Sequence, residues 1–363
     1  DAQLLVMDEP SAVLAHDEVA NLFRVIHDLT SRGIAVIYIT HRLEEIREIG
    51  DRVTVLKDGR TSAINLPART TKTDDLVTRM TGRKIEYVFP TRTQRPEVAD
   101  AKPLLEVSGL TRAGEFVDVS LTVRAGEIVG IAGLVGSGRS ELLETIYGAR
   151  ASQAGEVRLD GRRLPPGRVT NAVRAGLGLA PEERKSQALI LEDRIYRNVT
   201  LATFADYATA GFTHSSAERA AASDIAKELA LQPAGVGRAV KTLSGGNQQK
   251  VVLGRWLLDP KGDDTATGRR RSRGTRLLLL DEPTRGVDVG ARADLYRVIR
   301  RLADEGLGVL MVSSEVPEVL GLADRVLVMR EGRVLREAPA EELDEETVLD
   351  LVMAGSLLEM DSP

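Results

Sequence analysis

The 363-residue chain has no cysteine, which excludes disulfides and thiolate metal sites and fits a reducing compartment. It has no run of about 18 apolar residues, the length that a bilayer-crossing helix needs. It also lacks a dominant charge. Its 49 basic and 54 acidic residues leave a formal net charge of -5, so no global field recruits nucleic acid or an anionic membrane surface. No secretory signal is visible. The first residue is Asp1, not Met, and it stands a few residues before an apolar run, so the chain is expected to start in mid-domain. What is present is a hydrophobic share of 42%, enough for real cores in roughly two domains.

The chain is organised around Leu277 to Asp288, LLLLDEPTRGVD. Four apolar residues ending in two carboxylates predict a buried strand that delivers Asp281 and Glu282 to its carboxyl end, where open α/β sheets bind ligands. The chain opens with a copy, LLVMDEPSAVL from Leu4 to Leu14. A shift of 273 residues lays Asp8 on Asp281, Glu9 on Glu282, Gly33 on Gly306, Asp51 on Asp324 and Gly59 on Gly332 without a gap. An ungapped match over about 57 residues at so long a period is a duplicated domain rather than a solenoid repeat.

Residues 1 to 60 predict a strand, an amphipathic helix, a second strand at Ile34 to Ile39 and a closing hairpin, half of a parallel-sheet domain. Its second strand ends at Thr40 and His41. A lone histidine there reads as a surface residue; one helix after a DEP strand, it reads as functional. Residues 61 to 103 are polar and proline-bearing, with a short helical piece near Asp75 to Met80, and predict a connector. A new domain is expected from Leu104 to the end, beginning with an antiparallel subdomain and the buried strand Ile128 to Ala132. Ser215 and Glu218 predict a capping box at the start of an alanine-rich helical insert. DPKGDDTATGRRRSRGTR, residues 259 to 276, predicts a solvated insertion rather than a nucleic-acid patch.

Gly133 to Ser140, GLVGSGRS, has the spacing of a phosphate-binding loop with Arg139 where lysine belongs. Gly133, Gly136 and Gly138 let backbone N–H groups turn inward around phosphates, Ser137 lies among them, and Ser140 is placed to ligate Mg²⁺. Arginine keeps the charge but not the slim ammonium, which leaves the catalytic geometry open. Such a loop alone could be a tight turn; in register with a later DEP strand it points to nucleotide. LSGGNQQK, from Leu243 to Lys250, puts Ser244, Gly245 and Gly246 at a helix start that could receive an anion, or serve as an ordinary cap. Glu182 follows a short apolar strand in LGLAPEERK and reads equally as a solvated charge or a functional one.

These motifs, in this order, resemble the nucleotide-binding domain of ABC transporters. LSGGNQQK, DEPTRGVDVG, PEERK and VSSEVPEVLG, with the tandem arrangement, are similar to the ATPase subunits of bacterial ribose, galactose and xylose importers. The resemblance implies an α/β P-loop NTPase fold with an antiparallel β subdomain and a helical insert. It implies a truncated first cassette in residues 1 to 60 and a complete second one in 104 to 363. It also implies ATP and Mg²⁺ as ligands, with Asp8, Asp281 and Ser140 at the metal. Glu9 and Glu282 would be general bases and His41 the switch residue. Ser244, Gly245, Gly246 and Gln248 would form the signature that reaches nucleotide on an opposite domain, and Glu182 the Q-loop position. The second copy has Arg139 for lysine and Ser314 for the switch histidine, so its site is expected to be the weaker. No aromatic stands at the expected place for adenine before Gly133, and Phe116 is the nearest candidate. The implied partners are membrane permease subunits, indirectly a sugar-binding protein, and a second nucleotide-binding domain of the same or another chain, but no nucleic acid. The implied place is the cytoplasmic face of the bacterial plasma membrane. A soluble ABC ATPase outside transport, or an inactive fragment, are the other readings.

Overall fold

The computed structural model describes residues 2–11, 16–40, 43–57, 59–72, 75–76, 79, 89–91, 101–209, 211–258 and 274–353. They divide into two compact units, residues 1–88 with 288–293, and residues 89–287 with 294–363. Among the described residues no helix is long and apolar enough to cross a membrane.

In the first unit, β1 (Leu4–Asp8) pairs in parallel with β2 (Ala35–Ile39), joined through α1 (His16–Ser31). Next come α2 (Leu43–Ile49) and the antiparallel hairpin of β3 (Arg52–Lys57) and β4 (Arg60–Pro67). Gly33 ends α1 with φ 85°, a left-handed backbone that glycine adopts without a Cβ clash.

The second unit begins with β5 (Leu105–Arg112), β6 (Phe116–Val123), β7 (Ile128–Ala132) and α3 (Arg139–Tyr147). It continues through β8 (Ala154–Leu159), β9 (Arg162–Leu164), α4 (Val169–Ala175) and β10 (Leu177–Ala180). The helical insert holds α5 (Ile195–Thr200), the two-residue strands β11 (Ala208–Thr209) and β12 (Phe212–Thr213), α6 (Ser215–Glu228) and α7 (Gly245–Leu257). The chain then runs through β13 (Leu277–Asp281), α8 (Val289–Asp304), β14 (Gly308–Ser313), α9 (Val316–Leu322), β15 (Arg325–Arg330), β16 (Arg333–Pro339) and α10 (Glu345–Met353).

A six-stranded sheet in the order β10-β13-β14-β7-β15-β16 is parallel except for β16. β7, β10, β13 and β14 are buried along their whole length, which is why their sequences are unbroken apolar runs. A four-stranded antiparallel sheet, β6-β5-β8-β9, covers the same core with Val107, Phe116, Val119, Leu121 and Val157. The insert is tied to the main sheet by Trp256, whose ring lies over Gly178, where any Cβ would stand 2.8 Å from it, and whose Nε1–H donates to the Leu179 carbonyl at 2.9 Å.

Every element of the first unit through α2 has a counterpart at the same 273-residue offset, with the same bounds except that β14 runs one residue further than β2. Leu4 pairs with Ala35 as Leu277 pairs with Gly308, and the Ile34 N–H returns to the Leu29 carbonyl as Leu307 does to Leu302.

Two expectations are corrected. The capping box at Ser215 does not form: the cap residue is His214 without a side-chain hydrogen bond, and Glu218 is buried, accepting from the Thr200 hydroxyl at 2.8 Å. Phe116 is 1% exposed and belongs to the core, so it offers no ring face to a base.

Candidate functional site

The site lies at the carboxyl ends of β13, β14 and β7, three consecutive neighbours in the parallel sheet with β14 in the middle. The loop from Gly133 leaves β7 and enters α3 through Gly138, which caps the helix at φ 90°; Gly136 is also left-handed, at φ 83°. Alternating backbone hand at successive residues makes the N–H concavity that accepts anions. A Cβ on Gly138 would lie 2.4 Å from the Glu115 carbonyl oxygen, and one on Gly133 would lie 2.4 Å from that of Met329. Both glycines are therefore required by close backbone approach. Ser137 is buried, and its Oγ has no hydrogen-bond partner among the described residues.

Ser140 Oγ donates to Asp281 Oδ1 at 3.0 Å, joining the start of α3 to the end of β13. Burial pushes the Asp281 carboxyl up to about 7, against the stabilising hydrogen bond from Ser140. Glu282 follows in a left-handed backbone at φ 45°, and its N–H donates to the Val312 carbonyl at 2.9 Å. Its carboxylate accepts from Ser314 twice, from the backbone N–H at 2.7 Å and from Oγ at 3.1 Å. Burial raises the Glu282 pKa, while Arg139 and Ser314 act in the opposite direction.

Arg139 is turned into this cluster. It is 5% exposed; Nη1 donates to the Ser313 carbonyl at 2.5 Å and Nη2 lies 3.5 Å from Glu282 Oε1. Burial lowers its pKa, with Glu282, Asp281 and Glu141 working against that. The guanidinium thus neutralises the carboxylate that sequence reasoning assigned to water activation.

The signature lies elsewhere in the same unit. Ser244 precedes α7, its Oγ accepting from the Asn247 amide at 2.9 Å, while Gly245 packs on the loop after β13, where a Cβ would stand 2.5 Å from the Gly286 carbonyl oxygen. Gly246 and Gln248 are buried, and the Gln248 amide donates to the Leu243 carbonyl at 3.2 Å. Glu182, after β10, is ion-paired to Arg285 in that same loop, and Arg184 donates to the carbonyls of Arg285 and, at 2.8 Å, Gly286. Ser140, Arg139, Asp281, Glu282 and Ser314 are therefore brought together. Glu182 and Gly245 instead converge on the loop at Arg285 and Gly286.

In the first unit Asp8 and Glu9 stand at the exposed end of β1, Glu9 with φ 44° and its N–H donating to the Ile39 carbonyl at 2.9 Å. His41 lies outside the described residues. Two groups escaped the sequence reading. One is Arg184. The other is Glu318, buried between the hydroxyls of Ser313 at 2.5 Å and Thr284 at 2.9 Å. The signal for Glu318 was available, because the 273-residue offset lays Glu45 on it.

Residues 116–262 match the family model described as ABC transporter. The chain is 45% identical over 98% of its length to "Ribose import ATP-binding protein RbsA 1" of Streptomyces avermitilis, and spans 64% of that protein. It is 44% identical over 98% of its length to a protein of the same name from Rubrobacter xylanophilus, spanning 67% of it. Among solved structures, a nucleotide-free ATP-binding cassette from an ABC transporter superposes with a TM-score of 0.54 at 20% identity, over 70% of this chain and 96% of that one. The ADP conformation of another such cassette does so with a TM-score of 0.54 at 21% identity, over 71% and 98%. These likenesses carry the fold, an ABC-type P-loop cassette. With that fold, and with relatives of this identity, the chain belongs to the ABC transporter family of ATP-binding proteins.

Proposed function

We propose that this chain is part of the ATP-hydrolysing subunit of an importer of ribose or a similar small carbohydrate, driving separate permease subunits from the cytoplasmic face of the membrane. Support for the sugar comes from the names of the ribose-import relatives, of whose length the chain spans 64% and 65% in the two Streptomyces proteins. The observation that carries the nucleotide reading is the Ser140–Asp281 hydrogen bond behind the glycine loop. A hydroxyl and a carboxylate from two adjoining segments are the oxygen ligands that Mg²⁺ takes beside a bound phosphate. The partnerless Ser137 Oγ and the glycines that tolerate no Cβ fit a phosphate cradle.

When bound, Mg²⁺ would supply charge neutralisation at the phosphates. This chain's own residues would do the rest. Backbone N–H groups of Gly136 to Ser140 hold the phosphates, Ser140 and Asp281 hold the cation, and Glu282, fixed by Ser314, orients water. Arg139 opposes the last role by pairing with Glu282, so we assign the second site to binding and slow turnover. The faster site would be that of the first cassette, served by Glu9 and His41, while the signature at Ser244, Gly245 and Gly246, with Gln248 supporting the helix start, would act on nucleotide held by an opposite domain. In this reading residues 1–60 belong to a first cassette, 61–103 connect, and 104–363 form the second. Partners are the permease, a second cassette and, indirectly, a sugar-binding protein.

Titration with a fluorescent ATP analogue, followed by phosphate release, tests the assignment. Weak binding and very slow release are expected. Absence of binding overturns the nucleotide reading, and robust release abolished by Glu282→Gln overturns the division of labour between the sites.

A further inference from the structure

In both units the hydroxyl just before the switch position is tied to a buried carboxylate in the following helix. Thr40 Oγ1 donates to Glu45 Oε2 at 2.7 Å, and Ser313 Oγ donates to Glu318 Oε2 at 2.5 Å. The donors and the acceptors are each related by the 273-residue offset. Glu45 is 4% exposed and Glu318 2%. Burying a carboxylate is costly unless hydrogen bonds satisfy it, and an apolar side chain of similar volume is commonly no worse for stability. Its presence at both places calls for a role beyond packing.

The geometry around Glu318 supplies one. Its Oε1 accepts from the Thr284 hydroxyl, two residues beyond Glu282, while its Oε2 accepts from Ser313, one residue before Ser314. Ser313 is a crossing point. Its carbonyl takes the Arg139 guanidinium, and its Oγ accepts the Glu315 N–H at 3.1 Å. One carboxylate therefore pins the two chain segments that frame Glu282, the loop after β13 and the end of β14. In the first unit the second donor to Glu45 is the Tyr38 hydroxyl at 3.1 Å, from a position where the other copy has Met311. The source of the second hydroxyl differs; the bond to the residue before the switch is common to both.

We infer that Glu318 and Glu45 are positioning residues: Glu318 clamps the end of β14 so that Glu282 meets Ser314 in a fixed place, and Glu45 clamps the end of β2 at Thr40 in the same way. This rests on the ATPase reading for its consequence, but the clamp itself is observable without nucleotide.

Amide hydrogen exchange on the nucleotide-free chain reads it directly. Glu318→Ala is expected to speed exchange of the Ser314 and Glu315 amides by about tenfold or more while leaving the β7 amides unchanged, as local rather than global opening would. Glu318→Gln keeps one carbonyl acceptor at the same reach and is expected to restore part of the protection. Unchanged exchange at Ser314 and Glu315 overturns the clamp, and so does equal loss throughout β7, which marks a packing defect. In single-turnover hydrolysis with protein in excess, Glu318→Ala is expected to leave ATP affinity within about twofold and lower the rate about tenfold. Affinity and rate falling together, or a chain that binds ATP and never cleaves it, overturns the hydrolytic role. Failure of the unmodified chain to bind ATP overturns the ATPase reading and leaves the exchange result standing.

Discussion

The two copies of the DEP unit have one backbone and two environments. β1 and β13 pair with their following strands in the same register, and Glu9 and Glu282 share a left-handed φ of 44° and 45°. Yet Leu4 and Val6 are 53% and 58% exposed where Leu277 and Leu279 are wholly buried. In the second copy β13 stands between β10 and β14; among the described residues β1 is paired with β2 alone. Hydrogen-bond register and turn geometry follow from short-range sequence, whereas burial, and with it the electrostatics of the carboxylates, follows from what flanks the strand.

The sharpest way to break the comparison is to cut the same side chain in both copies. Leu279→Ala is expected to destabilise the chain by ~2–5 kcal/mol through loss of apolar burial and the cavity left behind. Val6→Ala, on an exposed strand face, should stay within about 0.5 kcal/mol. Urea denaturation of the two variants measures both, and equal losses would show that the copies do not differ in burial in solution.

Next in size is a pH effect. Asp281 and Glu318 both have carboxyls pushed up to about 7 by burial. A folded pKa above the unfolded one means that the native state holds more protons between them. Each group therefore contributes stability that is complete below about pH 4 and lost as pH rises through 7. Between pH 5 and pH 8 the chain should lose on the order of 2–3 kcal/mol from each of these groups, and Asp281→Asn should flatten the slope. A stability profile level over that range, recorded by thermal or urea unfolding, counts against the burial of these carboxylates.

The smallest expected effect concerns Arg139. Arg139→Lys keeps the charge, but a single ammonium does not reproduce the planar fork that reaches both the Ser313 carbonyl and Glu282. Releasing Glu282 and opening the loop is expected to tighten ATP binding by about tenfold, near 1.4 kcal/mol. Calorimetry checks it, and weaker binding by the lysine variant would show that the guanidinium itself holds phosphate.

The order of elements around the site was legible because each is announced locally. An apolar run ending at glycine marks β7 and one ending in two carboxylates marks β13, and the repeat predicts its own partner strands. The direction of Arg139 was not legible. Spacing specifies a cation at that place, but its partners, Ser313 and Glu282, lie more than a hundred residues away and are chosen by the sheet order. Glu218 misled for the same reason: a local capping pattern gave way to a buried bond with Thr200, formed only once α5 and α6 pack. The Glu318 clamp was visible as an identity in the repeat, while its meaning required the hydroxyls of two separate segments.

The left-handed backbone at Glu9 and Glu282 has an implication for redesign. A side chain with a Cβ in that region costs roughly 1 kcal/mol or more relative to glycine, and asparagine is tolerated better than glutamate. Any procedure that ranks substitutions by folding stability will therefore favour glycine or asparagine at both positions, and at Glu282 will remove the carboxylate that Ser314 and Arg139 are arranged to hold.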